Sequence, residues 1–340
     1  MFATLLGGLP SPTPGATPEP SDGSGHPAGL VEAAIRAQEE AGLEPVTDGR
    51  LGDGGFERLA AALEGAPGAG SITVGTWQFA ASLTDRAVKQ ALPGPYSLGR
   101  RPAGSTGRVS ERALLLMGSA KRDRRERERR TLAYADALRR EIEELAAAGC
   151  PLIEIEETDA HRIGTDERER ALFGEAHQRL VEGVRGTHLS LSIVGGSAAD
   201  AGIETILAAP YASLAVDLVD GPDNWHLVAR LPGDRGVVAG AMTADEATDQ
   251  PRELLLWAAH YAASTGGRGI ARVGLGSAGS FAHLTWGAAV RKMQLLGQAA
   301  LLAALPPSDE LMRSLPPAAI SARRAALGHD APPPPRPRRR

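Results

Sequence analysis

The chain has 340 residues, of which 42% are hydrophobic and 23% charged, and its formal net charge is −4. This composition is typical of a folded globular protein and does not favour nucleic acid as a partner. The single cysteine, Cys150, excludes an intramolecular disulfide and a cysteine-based zinc cluster. It fits a reducing compartment, so we expect a cytoplasmic protein. Apolar runs stay well short of the ~20 residues that a membrane span needs, so we expect no membrane partner.

Short apolar runs alternate with helical patterns along most of the chain. The predicted strands are residues 2–6, 44–47, 72–77 with 88–92 nearby, 152–156, 188–194, 214–218, 236–240 and 269–273. The predicted helices are residues 30–41, 56–64, 108–148, 166–184, 198–208, 224–231, 244–264 and 281–304. About eight strand–helix units over roughly 300 residues indicate a (β/α)8 TIM barrel. A doubly wound sheet would alternate in the same way and stays open as an alternative.

The two ends of the chain differ in composition from this alternating region. Residues 10–29 are rich in Pro, Ser and Gly, and we expect a flexible loop there. Residues 326–340 form a Pro/Arg-rich basic tail that we expect to be disordered. The sequence thus predicts one barrel domain over residues 1–325, followed by the tail.

The segment 150–157 gives the strongest indication of a site. Its apolar residues predict a short buried strand, and three carboxylates crowd the far end of that strand: Glu154, Glu156 and Glu157. Carboxylates are costly to bury together unless cations, hydrogen bonds or a ligand compensate. We therefore expect a site at the carboxyl end of this strand, where TIM barrels place their active sites. Pairing with Arg or Lys on neighbouring elements is the alternative.

Polar residues in or beside the other predicted strands complete the candidate site. They are Asp48 and Arg50 after the second strand, Tyr96 before the fourth, His161 after the fourth, His188 and Ser190 in the fifth, Asp217 in the sixth and Arg272 in the eighth. Alternation along the fifth strand puts His188 and Ser190 on one face. Structural alternatives are a hydrogen-bonded core histidine for His188, a surface residue for His161 and a turn cap for Asp217.

Taken in chain order, these motifs resemble the catalytic domain of cobalamin-independent methionine synthase, within the uroporphyrinogen-decarboxylase-like barrel superfamily. The resemblance lies in Leu6-Gly-Gly-Leu-Pro10, Gln38-Glu-Glu-Ala-Gly42, Thr47-Asp-Gly49, Val88-Lys89, Gly94-Pro95, the segment 148–157, His188-Leu-Ser190, Asp217 and Gly274-Leu275. It extends from Phe2 to about Ala304. The resemblance implies a TIM barrel that transfers a methyl group from a reduced folate to a substrate thiol.

The resemblance also implies a zinc ion that keeps the thiol as a thiolate and is held by His, two Cys and a Glu. The corresponding positions here are His188, Ser190, Val273 and Asp217. Only His188 and Asp217 could coordinate, whereas protein-bound zinc normally has three or four protein ligands. We therefore expect no metal ion. Arg50 stands where the family has an acid, which favours an anionic group on the substrate.

The sequence therefore predicts a methyl- or alkyl-transferring enzyme that acts on a small polar or anionic molecule. We expect Glu156, His188 and Asp217 to be catalytic, as acid/base or orienting groups. The residues expected to bind substrate are Asp48, Arg50, Tyr96, Glu157, His161, Ser190 and Arg272. Reduced folate is the methyl donor that the resemblance implies.

Two alternatives remain at this point. One is a cofactor-free decarboxylase of the same superfamily, which would act through electrostatics alone. The other is a non-catalytic relative that binds a ligand or a partner protein. The sequence is also compatible with a homo-oligomer.

Overall fold

The computed structural model describes residues 1–12, 28–51, 55–65, 71–101 and 120–305. Most of the predicted Pro/Ser/Gly-rich loop at 10–29 and the whole predicted tail at 326–340 lie outside these residues. The predicted end of the domain at residue 325 also lies outside them.

The central element is a parallel sheet whose strands come from the whole length of the chain. Within the described ranges it has seven strands: β1 (Phe2–Thr4), β2 (Lys89–Pro93), β3 (Leu152–Glu157), β4 (His188–Ile193), β5 (Ser213–Asp217), β6 (Gly236–Met242) and β7 (Val273–Ser277). Their order is β1-β7-β6-β5-β4-β3-β2. Every neighbouring pair is parallel. From β2 to β7 each strand lies beside its successor, as repeated strand–helix units of one handedness produce.

The sheet is curled, and a short extended segment, residues 44–46, bridges its two edge strands. The N–H of Glu44 donates to the carbonyl of Ala3 in β1 at 2.9 Å. On the other side, Val46 forms two backbone hydrogen bonds of 2.9 Å with the start of β2, one through its N–H and one through its carbonyl. These bonds join the two edges of the sheet. The predicted strand at 44–47 is thus present only as this segment and an isolated parallel bridge.

Helices connect the strands and pack on the outer face of the sheet. They are α1 (Ala28–Glu40), α2 (Gly55–Gly65), α3 (Val74–Ala81), α4 (Pro95–Arg100), α5 (Ala120–Ala147), α6 (Glu167–Val181), α7 (Ile203–Ile206), α8 (Trp225–Arg230), α9 (Arg252–Ser264) and α10 (Trp286–Ala304). Helix α9 packs on β6 and β7, and α10 packs on β1 and β7. In the described part of the chain, none of these helices is long and apolar enough to cross a membrane.

Side-chain alternation divides the sheet into an apolar outer face and a more polar concave face. Ile153 and Ile155 of β3 belong to the large core cluster shared with the helices, as do Leu189 and Leu191 of β4. The intervening residues of these strands are Glu or Ser. A smaller apolar cluster on the other face contains Leu6, Val194, Ala215 and Val238. Period-two alternation therefore builds the helix-facing core and, on the concave face, a row of polar groups.

Two of the helices begin at side-chain caps. Asp166 accepts a hydrogen bond from the N–H of Arg168 at 2.9 Å at the start of α6. Thr285 accepts one from the N–H of Ala288 at 3.4 Å at the start of α10. Such caps satisfy N–H groups that lack a partner within the helix and typically contribute about 1 kcal/mol.

The prediction of a strand at 72–77 is wrong, because helix α3 occupies most of that range. The carboxylate of Glu141, on α5, accepts hydrogen bonds from the N–H groups of Ile72 (3.0 Å) and Thr73 (2.5 Å). A carboxylate at this position satisfies free N–H groups and favours the start of a helix. The stabilising group lies 68 residues away in sequence. A local pattern cannot reveal such a contact.

Gly297 lies where α10 meets the backbone of residue 41. A Cβ on Gly297 would lie 1.7 Å from the carbonyl oxygen of Ala41, whereas a Cβ on Gly287 in the same helix would meet no atom within 4 Å. We expect Gly297→Ala to lower the free energy of unfolding by about 2–3 kcal/mol, because the helix or the facing backbone must move. Gly287→Ala should raise it by up to ~1 kcal/mol. Urea unfolding followed by circular dichroism measures both, and equal effects would contradict this packing.

Candidate functional site

The concave face carries four buried polar side chains on adjacent strands. Glu154 of β3 is in register with Ser190 of β4, and Glu156 is in register with Ser192. All four are at most 4% exposed. The hydroxyls of both serines and Oε1 of Glu154 have no hydrogen-bond partner among the described residues. Buried polar atoms normally have partners, so unpaired ones in a row mark a place where a ligand or water can bind.

At the carboxyl end of the sheet, Arg50 forms an ion pair with Glu156. Nη2 of Arg50 donates to Oε2 of Glu156. The guanidinium carbon also lies 3.7 Å from the centroid of the Phe56 ring, a cation–π contact. The backbone N–H of Arg50 donates to Oδ1 of Asp48 at 2.9 Å. The structure therefore brings three of the predicted site residues together.

The backbone of Arg50 is itself unusual. Its φ is 59°, which among the described residues makes it the one non-glycine with a positive φ. Left-handed backbone costs an ordinary residue about 1 kcal/mol or more, and such strain is concentrated at functional sites. Nε of Arg50 is buried and has no hydrogen-bond partner within the described chain. The guanidinium is thus held in place by Glu156 and Phe56 and keeps a donor available.

Asp217 also lies at the carboxyl end, where its carboxylate holds two loops. Oδ1 accepts from the N–H groups of Val219 and Asp220, both at 2.9 Å, and Oδ2 accepts from the N–H of Gly195 at 3.3 Å. Burial raises the pKa of Asp217, and these backbone hydrogen bonds oppose that shift. These contacts fit the turn-cap interpretation, in which Asp217 joins the loops that follow β4 and β5.

His161 is near the same loops. It is half-buried in the helical turn after β3, and its Nδ1 has no hydrogen-bond partner in the part of the chain that the structure describes. A Cβ on Gly196 would lie 3.0 Å from the Cβ of His161, so this ring packs on the loop after β4.

Glu157 and Tyr96 contact the helices instead of the concave face. Glu157 is fully buried and accepts hydrogen bonds from the N–H groups of Tyr96 (2.9 Å) and Ser97 (2.8 Å) at the start of α4. The hydroxyl of Tyr96 donates to Glu169 of α6 at 2.7 Å, and burial raises the pKa of that hydroxyl. Both predicted substrate-binding residues therefore hold α4 and α6 against the sheet.

Three other predicted residues, His188, Ser190 and Arg272, lie toward the amino end of the strands. His188 is the first residue of β4, is exposed, and has Nε2 2.8 Å from the hydroxyl of Ser213. Although the residue is exposed overall, partial burial of its ring lowers the pKa of His188. Arg272 is exposed and immediately precedes β7, so it does not end a strand as the sequence predicts.

The register shows how far His188 is from Asp217. Ser190 pairs with Ser213. Asp217, four residues after Ser213, is therefore level with residue 194, six residues beyond His188. At about 3.3 Å per residue, the two side chains are separated by roughly 20 Å along the strand direction. The expectation that His188 acts together with Glu156 and Asp217 does not agree with this geometry, because His188 begins β4 whereas the other two lie at the carboxyl end of the sheet.

The positions that the resemblance assigns to zinc do not lie together. His188 and Asp217 are at opposite ends of the sheet, as described above, and Ser190 and Val273 offer no thiolate. Among the described residues there is no group of three His, Cys, Asp or Glu side chains placed to hold a metal ion. The thiol of Cys150 is buried and contacts the carbonyl of Leu152 at 3.3 Å, and burial raises its pKa to about 11. These residues do not fit a zinc site.

Lys89 is a further site residue that the sequence-based prediction does not include. Its ammonium group donates to Oε2 of Glu154 at 2.9 Å and to the carbonyl of Leu5. Both members of this ion pair are 2% exposed at the side chain. A lysine within a predicted strand is the pattern that could have revealed it, because an unpaired buried lysine is strongly disfavoured.

Comparison with known proteins gives structural matches only. No family model and no curated protein matches the chain. A B12-independent methionine synthase from Shewanella sp. W3-18-1, solved in complex with selenomethionine, aligns with a TM-score of 0.70 at 16% identity, over 92% of this chain and 98% of that one. A putative vitamin-B12 independent methionine synthase from Listeria monocytogenes aligns with a TM-score of 0.62 at 15% identity, over 88% of this chain and 97% of that one. A methyltransferase from Methanosarcina mazei aligns with a TM-score of 0.55 at 14% identity, over 87% of this chain and 93% of that one. At these identities the likeness shows the fold alone: the chain has the α/β architecture of these methionine synthase-like and methyltransferase structures.

Proposed function

We propose that the chain is a methyl- or alkyl-transferring enzyme of the methionine synthase-like kind, built on a (β/α)8 barrel in which residues 44–47 are the second strand. The hydrogen bonds from this segment to both edges of the sheet support the closed barrel. The structural likeness to a B12-independent methionine synthase over 92% of the chain supports the reaction class. Active sites of such barrels lie at the carboxyl ends of the strands.

The observation that carries the proposal is the Arg50–Glu156 ion pair at that end. The Arg50 side chain is 16% exposed and that of Glu156 is 4% exposed. A carboxylate or phosphate on the substrate would accept hydrogen bonds from the guanidinium, including from Nε, which has no partner among the described residues. Glu156 would then leave the ion pair and could accept a proton from the substrate.

In the proposed reaction, a nucleophilic atom of the substrate forms a bond to a methyl carbon while the bond from that carbon to the donor nitrogen breaks. The electron pair of the broken bond stays on the donor nitrogen, which takes up a proton from water. Glu156 takes the proton that the nucleophile loses, and Asp48 fixes the backbone of Arg50. A reduced folate is the proposed donor. We propose that the transfer does not use zinc, because His188 and Asp217 lie too far apart to share an ion.

Two measurements test this function: calorimetric titration with a methylated reduced folate, and transfer of a labelled methyl group to small thiols, amines and carboxylic acids. Arg50→Lys should weaken acceptor binding about tenfold, because an ammonium cannot replace a stacked, planar guanidinium. Glu156→Gln should lower kcat by at least about 100-fold, the usual contribution of a general base. Arg179→Lys is the matched control, since Arg179 forms an exposed ion pair with Glu175, and it should change neither acceptor binding nor kcat.

Other outcomes of these measurements would overturn part or all of the proposal. One tightly bound zinc per chain, in protein purified without chelator, would contradict the zinc-free reaction. Failure of every folate to bind, with carbon dioxide released from a small carboxylic acid, would support a cofactor-free decarboxylase instead. The Arg50–Glu156 pair suits that second function as well, since the arginine would hold the substrate carboxylate in a buried setting. Ligand binding without any turnover would indicate a non-catalytic relative.

A further inference from the structure

A cavity lies at the amino end of the sheet, and its lining does not include Arg50 or Glu156. Its volume is about 480 Å³, within the usual range for small-molecule sites. Side chains or backbone from β1, β2, β3, β4, β5 and β6 line it. Its lining residues include His188 and Arg272, two predicted site residues that have no role in the proposed function.

The deep end of the cavity carries two unpaired polar groups. Glu154 and Ser190 both line the cavity and lie two residues farther into the sheet than Leu152 and His188, which are also lining residues. Each is 2% exposed. Oε1 of Glu154 and the hydroxyl of Ser190 have no hydrogen-bond partner in the described chain. Because the two residues are in register on adjacent strands, their backbones are about 4.8 Å apart, close enough for one small group to contact both.

The charges at the deep end are balanced within the protein. Lys89 donates to Oε2 of Glu154 at 2.9 Å, so the pair is neutral overall. A ligand ammonium would add a net charge to this buried region and would repel Lys89, and a ligand carboxylate would repel Glu154. A neutral group with one donor and one acceptor meets neither penalty. It can donate to Oε1 of Glu154 and accept from the hydroxyl of Ser190.

The rest of the cavity has a mostly apolar surface, and its charged residues Asp234 and Arg272 are exposed to solvent. Phe2, Pro45, Leu152 and Val238 line its sides, and Ala271 lies exposed at its rim. A ligand with a flat apolar body behind the polar group would therefore remove apolar surface from water as it enters.

We propose that this cavity is a binding site for a small neutral molecule that bears a primary amide or cyclic amide on an apolar, preferably aromatic, body. The amide N–H donates to Glu154 and the amide oxygen accepts from Ser190. The apolar body lies against Phe2, Leu152 and Val238. This site is separate from the carboxyl-end site and does not depend on the proposed function.

The test uses three probes that share one ring and differ only in the polar group: para-fluorobenzamide, para-fluorobenzoate and para-fluorobenzylamine. Fluorine NMR titration of the full chain measures each dissociation constant. We expect the amide to bind saturably at about 1 mM or tighter, as a fragment of this size can. The acid and the amine should bind at least about tenfold more weakly, because each places an unbalanced charge near Lys89 and Glu154.

Two variants locate the binding. Ser190→Ala removes one hydrogen bond and should weaken amide binding about three- to tenfold. Ala271→Trp fills the rim and should abolish binding, whereas Ala247→Trp, at an exposed position beyond the other end of β6, should leave it unchanged. Circular dichroism melting confirms that each variant is folded.

Three results would each overturn the proposal. The first is that the amide binds no more tightly than the acid and the amine. The second is that Ala271→Trp binds the amide as well as the unmodified chain does. The third is that no probe binds saturably, as expected for a cavity that holds water only. The Ala271→Trp result remains decisive if Ser190→Ala does not fold.

Discussion

Replacing Glu157 with glutamine will lower the free energy of unfolding by about 3 kcal/mol, because it removes a buried charge that several donors share. Glu157 accepts from two backbone N–H groups at the start of α4, from the hydroxyl of Ser97, and from Nε2 of His177 at 3.0 Å. His177 in turn lies 2.6 Å from the hydroxyl of Tyr211. Glutamine would turn an NH2 group toward donors, so two or more of these contacts would be lost together.

Urea unfolding followed by circular dichroism measures this loss. Glu175→Gln is the matched control, since Glu175 is exposed in an ion pair with Arg179 and should contribute less than about 1 kcal/mol. If Glu157→Gln unfolds like the unmodified chain but binds ligands more weakly, the structural role assigned here is wrong. Glu157 would then belong to the substrate site, as the sequence predicts.

Replacing Lys89 with methionine will lower the free energy of unfolding by about 3–5 kcal/mol near neutral pH, because Glu154 is left as an unpaired buried carboxylate. Lys292→Met is a suitable control. Lys292 is equally buried, but its partner Asp249 is 36% exposed at the side chain and also contacts Arg291, so its charge stays solvated and paired. A double variant with methionine at both 89 and 154 should recover part of the loss, since no buried charge remains.

The loss in Lys89→Met should depend on pH, with a sign fixed by Glu154. Burial raises the pKa of Glu154 above its ordinary value, and Lys89 opposes that shift. A carboxyl group that keeps its proton longer in the folded chain than in the unfolded chain makes stability fall as the pH rises past the unfolded pKa. Without Lys89 this fall becomes steeper, so the deficit should be smaller at pH 5 than at pH 8. An equal deficit at both pH values would show that Glu154 does not cause it.

The sequence predicts the strand–helix alternation well, because period-two patterns such as those of β3 and β4 are local. It predicts some boundaries poorly. The last strand is predicted at 269–273 but is observed at Val273–Ser277. The Gly-rich run after Val273 reads as a loop in the sequence, whereas in the structure it forms the strand. In this strand a Cβ on Gly274 would lie 2.3 Å from the Phe2 ring, and that tight packing is invisible in a propensity pattern.

The candidate site was predictable where it depends on strand ends and unpredictable where it depends on distant contacts. Arg50 and Glu156 meet because the carboxyl ends of parallel strands share one edge of the sheet. His188 does not join them, because it is the first residue of β4, as the predicted strand at 188–194 already implies, and the first residues of parallel strands lie at the amino edge of the sheet. Glu157 directly follows Glu156 in β3, so side-chain alternation places it on the opposite face of the sheet. Its partners, His177 and the start of α4, come from tertiary packing.

The pairing of β1 with β7 has a consequence for the order of folding. The backbone of Leu6 and the hydroxyl of Ser277 form two hydrogen bonds across 271 residues, so β1 can pair with β7 only after nearly the whole described chain has been synthesised. Contacts of such long range close slowly, because the intervening chain must lose its freedom first. During synthesis, β3 to β7 can each pair with the strand that precedes it in the chain, while β1 stays unpaired until β7 is present. Pairing of β1 with β7 is therefore expected to be a late step in folding, which follows the pairing of β2 to β6.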